Sequence, residues 1–483
     1  MSSEGLVSRI KKHEITSPLI LAVFVACMGS IQYGYHIAEL NAPQQVMTCN
    51  DTKYPNGDPT FSYDDSVFGN IGLKQCIPMT TEQFGIVTSV FSVGGLFGSY
   101  IAGQLSVKYG RRLISEGTCV LAFIGSLMLA SANGFWMMVF ARILVGIAAG
   151  ISIVVTPLFI NEITPVQYRG AMGTMNQLCI NIGILVTQSL ALVFTDSYYW
   201  RWILFFAAGL ALLNLFFWFQ IDESPKWLLK AGKPSEAEIV TYRLHGGTYQ
   251  DARETVQKWQ KDLSSPSDAE STRKEGPTMW EYVTKLNYRK SRNVIMIILC
   301  AQQFCGINSI IFYGVKVISE SLPDQAVKIN FGISILNVIV TLIASIIIDH
   351  VGRKPLLLSS SSLMGFTSLL ISVGITKDKS ILLVLSVFAY IAAFAIGLGP
   401  IPFLIIGELS APDEAARAQS FGTICNWLAT FAIGFSFPVV HEMLGGKVYI
   451  IFSVVAVAFA IYVKNKVPET KNKASFNDVW RNY

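Results

Sequence analysis

Apolar residues run along this chain in long blocks, with neither the alternation of a half-buried strand nor the one-sided stripe of a surface helix. A window of about 19 residues finds twelve blocks long enough to cross a bilayer. They cover 18–38, 81–105, 113–131, 135–160, 171–194, 200–221, 293–317, 328–348, 356–375, 380–408, 418–440 and 446–463. In lipid every backbone N–H and C=O must be paired within its segment, so each block predicts a helix. A polar stretch from Asp222 to Arg292 divides the blocks six and six. Within it SEAEIVTYRL, QDARETVQKWQKDL and MWEYVTKL place charged and apolar residues at helical spacing around the loose SSPSDAESTRKEGP. The predicted fold is an all-α integral membrane protein: a tail at 1–17, a six-helix bundle at 18–221, a linker with short helices at 222–292, a second six-helix bundle at 293–463 and a tail at 464–483.

Composition agrees with this pattern. The 483 residues are 52% hydrophobic and 14% charged, against about a quarter charged in soluble domains. The start, MSSEGLVSRIKKHEI, has no apolar run ending in a small-residue cleavage site, so the first block is expected to be its own insertion signal. The basic runs RIKKH, KYGRR, VGRKP and KNK, with the linker, all fall on one side, which places both termini in the cytosol. The net charge of +5 is then a matter of topology and gives no reason to expect a nucleic-acid partner. All cysteines but Cys49 and Cys76 lie in predicted spans. Those two share the first non-cytosolic loop, where oxidation is permitted, and are candidates for a disulfide. The same loop offers Asn50 in Asn50-Asp51-Thr52 as a glycosylation acceptor.

The two halves echo each other. YGRR at Tyr109–Arg112 and VGRK at Val351–Lys354 follow the second span of each half, and PLFINEITP and PFLIIGELSAP close the fourth. Paired halves around a cytosolic connector suit alternating access, with substrate held between them near mid-membrane. Arg111, Arg112 and Arg353 can fork onto Glu162 and Glu408, forming contacts whose breakage would open the cytosolic side. The plainer reading is that these arginines only obey the positive-inside rule.

Buried carboxamides carry the chemistry. Gln302 and Gln303 lie on the seventh span with Asn308 about one and a half turns on, and Gly306 between them allows a local break. Gln177 and Asn181 share a face of the fifth span, as do Asn426 and Thr430 on the eleventh. Carboxamides both donate and accept, which suits a neutral guest covered in hydroxyls. Helix-to-helix bonding is the competing use of each. Phe304, Phe312, Tyr313, Phe394, Phe403 and Trp427 offer flat faces to a sugar ring, or simple packing. Neither metal-ligand spacing, nucleophile elbow nor phosphate loop is visible, so no enzyme and no cofactor are expected.

At QQFCGIN the chain resembles the sugar porter family of the major facilitator superfamily, whose seventh span reads QQxxGxNxxxxY; here these are Gln302, Gln303, Gly306, Asn308 and Tyr313. The likeness extends through YRGAMGTMNQ, DESPKWL, GLGPIPF and PETK, with a pattern nearest to fungal members. It implies two six-helix bundles, a monomeric unit, and transport of a monosaccharide, or of a polyol or inositol, with protons as a further partner. It also implies that Gln177, Gln302, Gln303, Asn308 and Asn337 hold hydroxyls and that Phe403 and Trp427 line the cavity; Asn426 is a further candidate contact, and Arg169 and Asp349 are candidates for the cytosolic charge network. Departures stand at Val107, Ala395, Phe403 and Ala415, where the family favours Asp, Glu, Trp and Arg. Proton-driven members carry an acid after Gly-Tyr of the first span, close to the position of Arg142; here that residue is His36, with Glu39 one turn on as an alternative carrier. Facilitated diffusion is the reading preferred over proton symport, in a plasma or vacuolar membrane. A nutrient sensor on the same fold is the rival.

Overall fold

The computed structural model describes residues 16–50, 63–165, 169–264, 278–411, 414–471, 473 and 476–481. Among the described residues, twelve long helices carry the fold. In the first half these are α1 Ser17–Ala38, α2 Thr81–Tyr109, α3 Arg111–Ala130, α4 Phe135–Ile163, α5 Arg169–Phe194 and α6 Arg201–Trp218. The second half begins with α7, in two pieces: α7a Arg289–Phe304 and α7b Ile307–Ser319. It continues with α8 Ala326–Val351, α9 Arg353–Thr376, α10 as α10a Ser380–Ile396 and α10b Ile401–Leu409, α11 Ala415–Leu444 and α12 Val448–Lys466. Among the described residues, eleven stretches are long and apolar enough to span a membrane; one of them, 417–466, is divided at Gly445 (φ +55°) into α11 and α12. The architecture is the major facilitator fold.

The two breaks have local causes. Gly306 adopts φ +97°, and a Cβ there would stand 2.4 Å from the Phe452 ring, so the turn between α7a and α7b requires glycine. In α10 the chain leaves the helix at Gly397 and resumes at Ile401; Pro402, in the new first turn, has no N–H to offer Leu398.

The halves meet along α2 and α11, α5 and α8, and α1 and α7b. Trp427 Nε1 donates to Ser99 Oγ at 3.0 Å, its ring lying over Gly95. Asn181 Nδ2 donates to Thr341 Oγ1 at 2.7 Å, and Asn337 Nδ2 to Asn181 Oδ1 at 3.3 Å. Asn41, just past α1, donates to Ile311 O at 2.8 Å and accepts from Val315 N at 3.0 Å.

One end of the molecule, the disulfide face, carries Cys49 bonded to Cys76. That loop is held down by Trp200 Nε1 on Gln75 O at 2.8 Å and by Arg201 on Lys74 O at 2.7 Å. Asn50 is exposed beside it, while residues 51 and 52 of its acceptor triplet lie outside the described residues. The opposite, arginine face bears Arg111, Arg353 and, among the described residues, four short connector helices, Pro225–Lys230, Pro234–His245, Tyr249–Ser264 and Met279–Thr284. Ala237, Val240 and Leu244 bury their side chains in one cluster with Leu19 and Phe159. Thr16 Oγ1 bonds Leu244 O at 2.7 Å and His245 bonds Ile163 O at 2.9 Å, so the connector is tied to the starts and ends of the first half's helices.

Candidate functional site

The break at Gly306 turns Asn308 back toward Gln303, and the two amides bond at 2.6 Å from Asn308 Nδ2 to Gln303 Oε1. Gln303 Nε2 faces Asn426 Oδ1 at 3.3 Å and Gln302 Oε1 at 3.4 Å. Asn426 Nδ2 donates to Gln302 Oε1 at 2.7 Å and to Leu299 O at 3.1 Å. Gln302 Nε2 donates to Leu398 O at 2.7 Å and Gly399 O at 3.2 Å, in the gap of α10. All four side chains are buried. Three broken or facing helices thus share one amide cluster. Asn337 joins Asn181 across the two halves; Gln177 is half-buried on α5 one turn from Asn181, and Phe403 is half-buried on α10b. Trp427 packs between Tyr33 and Phe91, at 5.9 and 6.0 Å between ring centroids.

A second polar group lies inside the first half. His36, Glu39 and Arg142 are at most 1% exposed. Glu39 Oε1 takes Arg142 Nη1 at 2.9 Å, Glu39 Oε2 meets His36 Nδ1 at 2.9 Å, and Arg142 also donates to His36 O at 2.8 Å. The guanidinium stands 4.6 Å from the centre of the Phe91 ring. Glu39 supplies the charge that makes a fully buried arginine tolerable. Next to this group, Gln32, His36 and Asn214 are among the residues that line a small cavity among α1, α3, α4 and α6.

The arginine face holds two matching charge cages. Arg111 bonds Glu162 at 2.7 Å and Ser224 Oγ bonds the same carboxylate at 2.6 Å. Glu223 accepts the backbone N–H of Arg111 and of Arg112, each at 3.0 Å, at the open N-terminus of α3. Burial raises the pKa of Glu223, opposed by the N–H groups of Ser224, Arg112 and Arg111. In the second half Arg353 bonds Glu408 at 2.9 Å, Thr470 bonds the same carboxylate, and Glu469 accepts from Arg353 N and Lys354 N at 3.0 Å. Gly110 and Gly352, at φ +92° and +106°, leave the room: a Cβ would approach Glu223 and Glu469 to 2.3 and 2.9 Å. Arg112 turns away to Glu116 at 2.8 Å. Each named pair stays within its own half, because an arginine at the start of the third helix of a bundle faces the end of its fourth. Side chains of Arg169 and Asp349 lie outside the described residues. Glu223 and Glu469 were not singled out in the sequence, although each follows the last span of its half in DESP and PETK, a repeat that marks them.

Two six-helix halves, a broken helix on each side of one amide cluster and an interface crossed by further amides define a secondary transporter. The model of the family described as "Sugar (and other) transporter" matches residues 22–480, and the chain belongs to that family. A probable metabolite transport protein of Saccharomyces cerevisiae is 56% identical over 99% of this chain and 98% of its own length. Vacuolar protein sorting-associated protein 73 of the same yeast is 44% identical over 98% of this chain and 99% of its own. Facilitated glucose transporter member 1 of Gallus gallus is 28% identical over 96% and 93%. Among solved structures, the inward-open xylose transporter XylE from E. coli superimposes with a TM-score of 0.76 at 22% identity, covering 96% of this chain and 99% of its own. The chain is a membrane transporter, not an enzyme.

Proposed function

We propose that this protein carries a monosaccharide across its membrane by alternating access, with both termini and the 222–292 connector in the cytosol. The observation that carries this reading is the buried cluster of Gln303, Asn308 and Asn426 together with the amide pair Asn181 and Asn337 that crosses the halves. Both groups hold uncharged donors and acceptors whose mutual bonds a hydroxylated guest can replace, and Trp427 supplies an apolar ring face. Gln177, Gln302 and Phe403 complete the candidate lining. The relatives named for metabolite and glucose transport support a small neutral cargo, with polyols or inositol in the same chemical class. Counterflow in proteoliposomes against hexoses, pentoses, inositol and polyols tests it; binding without movement of any of them would instead favour a sensor.

Facilitated diffusion is the simpler mode. Proton symport is the second reading, and the buried Glu39 between Arg142 and His36 is the observation that favours it. Flux that responds to an imposed pH gradient would select symport. The vacuolar name of one yeast relative supports a vacuolar membrane, with the plasma membrane as the alternative.

A further inference from the structure

Six of the chain's eight cysteines are free thiols, the other two forming the Cys49–Cys76 bond. Cys27, Cys119, Cys179 and Cys305 are buried, whereas Cys300 and Cys425 are half-buried. The two free thiols with open surface are also neighbours. Cys300, on α7a, donates to Cys425 O on α11 at 3.9 Å, and the two thiols are hydrogen-bonded to each other. The residues beside them fix this register: Asn426 Nδ2 bonds Leu299 O at 3.1 Å, and a Cβ at Gly422 would meet Ile295 at 3.0 Å.

The first half holds a second thiol pair, Cys27 on α1 and Cys179 on α5, also hydrogen-bonded to each other. These are the first and fifth helices of their bundle, as α7 and α11 are of theirs. The pairs differ in access. Cys27 and Cys179 are 2% and 5% exposed, sealed where α1 and α5 touch backbone to backbone; a Cβ at Gly34 would stand 1.9 Å from Ile180 O and one at Gly183 2.0 Å from Ile31 O.

A half-exposed pair of touching thiols is a substrate for peroxide. Attack of one sulfur breaks the O–O bond and leaves a sulfenic acid and one water; the second thiol then closes the S–S bond and releases another. Two thiols are oxidised and one hydrogen peroxide is reduced, and a small-molecule thiol of the glutathione class reverses the step by exchange, ending as its own disulfide. Such a bond would join α7a to α11 beside the amide cluster, where Leu299 and Gln302 already meet Asn426. It would fasten the piece of α7 before the Gly306 break to the helix whose Trp427 crosses to Ser99 of the other half.

We infer that Cys300 and Cys425 are a reversible oxidation site for peroxide-class oxidants, whose disulfide pins α7a to α11 and slows transport, while Cys27 and Cys179 stay reduced. The pair lies between the amide cluster and the arginine face, so on the topology proposed above the thiols that reset it are those of the cytosol. The slowing of transport rests on the sugar reading; formation of the bond does not.

The test treats the purified protein in proteoliposomes with hydrogen peroxide, blocks free thiols by alkylation and looks by mass spectrometry for the peptide joining Cys300 to Cys425. That peptide is expected, should disappear with dithiothreitol, and should leave Cys27 and Cys179 free. Recovery of Cys300 and Cys425 as free thiols, or a Cys27–Cys179 link in their place, overturns the inference. Counterflow of D-glucose in the same vesicles is the second readout. Peroxide should remove most of the flux of the parent and dithiothreitol should return it, while Cys300→Ser and Cys425→Ser keep their basal flux and ignore peroxide. Equal loss in the serine variants assigns the effect to another group, and full flux in protein that carries the bond denies the pinning; either result overturns the inference. Should a serine variant not fold, the parent decides alone, since flux and bridged peptide must then rise and fall together as dithiothreitol is added. A parent that moves no glucose would count against the sugar reading and leave the peptide result standing.

Discussion

Gln303 bonds weakly and Asn308 strongly, and that difference orders their substitutions. Gln303→Ala should cut uptake about tenfold, the consequence of one lost hydrogen bond to the cargo, with membrane abundance unchanged by quantitative blotting; normal uptake would remove Gln303 from the site. Glu39 behaves otherwise, because it neutralises a buried cation. Glu39→Gln strands Arg142 at a cost of ~3–5 kcal/mol, the penalty for breaking a buried pair. The expected result is poor recovery of folded protein from Glu39→Gln and better recovery from Glu39→Gln/Arg142→Gln. Equal recovery of the two would mean that Arg142 finds sufficient partners in Val87 O, Thr88 O and His36 O. Residue types told much here: carboxamides in apolar spans are conspicuous, and so is a histidine, His36, within the first span. Their partners were not legible. Gln302 reaches Leu398 across 96 positions and Asn337 reaches Asn181 across 156, distances over which no local pattern carries information.

At the scale of elements, the break in α7 was readable because glycine between polar residues has few other uses, and the α10 gap is announced by GLGPIP. Gly306→Ala would place a methyl into the Phe452 ring at a backbone angle unsuited to it. Uptake should fall further than in Gln303→Ala, with a lower melting temperature that Gln303→Ala does not share; parity in melting would argue that Phe452 yields easily. The first loop behaves as a clamp. Cleaving the Cys49–Cys76 bond should destabilise the protein by ~2–4 kcal/mol, the usual range for a disulfide, seen as a lower melting temperature with reductant and no such effect in Cys49→Ser/Cys76→Ser. The short connector helix Met279–Thr284 has its own pH dependence. Lys285 and the Thr278 cap hold the Glu281 carboxyl down to about 2. A depressed acid contributes stability above its unfolded value of 4.5, which is lost as pH falls from there toward 2. Amide exchange in residues 279–284 should therefore accelerate across that window, after correction for intrinsic rates, and a flat profile would show that Glu281 does not hold the helix.

The whole molecule divides its polar contacts in a consistent way. Charge pairs on the arginine face stitch helices within a half, whereas the contacts named across the halves among the described residues are made by amides, hydroxyls, one indole and backbone groups, with a single carboxylate, Glu442, taking the Thr81 hydroxyl. A seam with so little charge is suited to rocking, since its one carboxylate, Glu442, is half exposed and lies near Lys316 of its own half, so parting the halves strands no buried ion. Hydropathy and the doubled motifs predicted the two bundles. The confinement of each arginine cage to its own bundle was not apparent, since a motif records which residues recur and not which neighbour each one grips.

The amide cluster has a further consequence when nothing is bound. Its members satisfy one another, so on the alternating-access reading proposed above a vacant carrier has little unmet demand for cargo, and its return stroke is expected not to be the slow half of the cycle. Net filling of sugar-free vesicles should then keep pace with one-for-one swapping between loaded compartments, and a large advantage for swapping would reveal that the unladen passage carries a hidden toll.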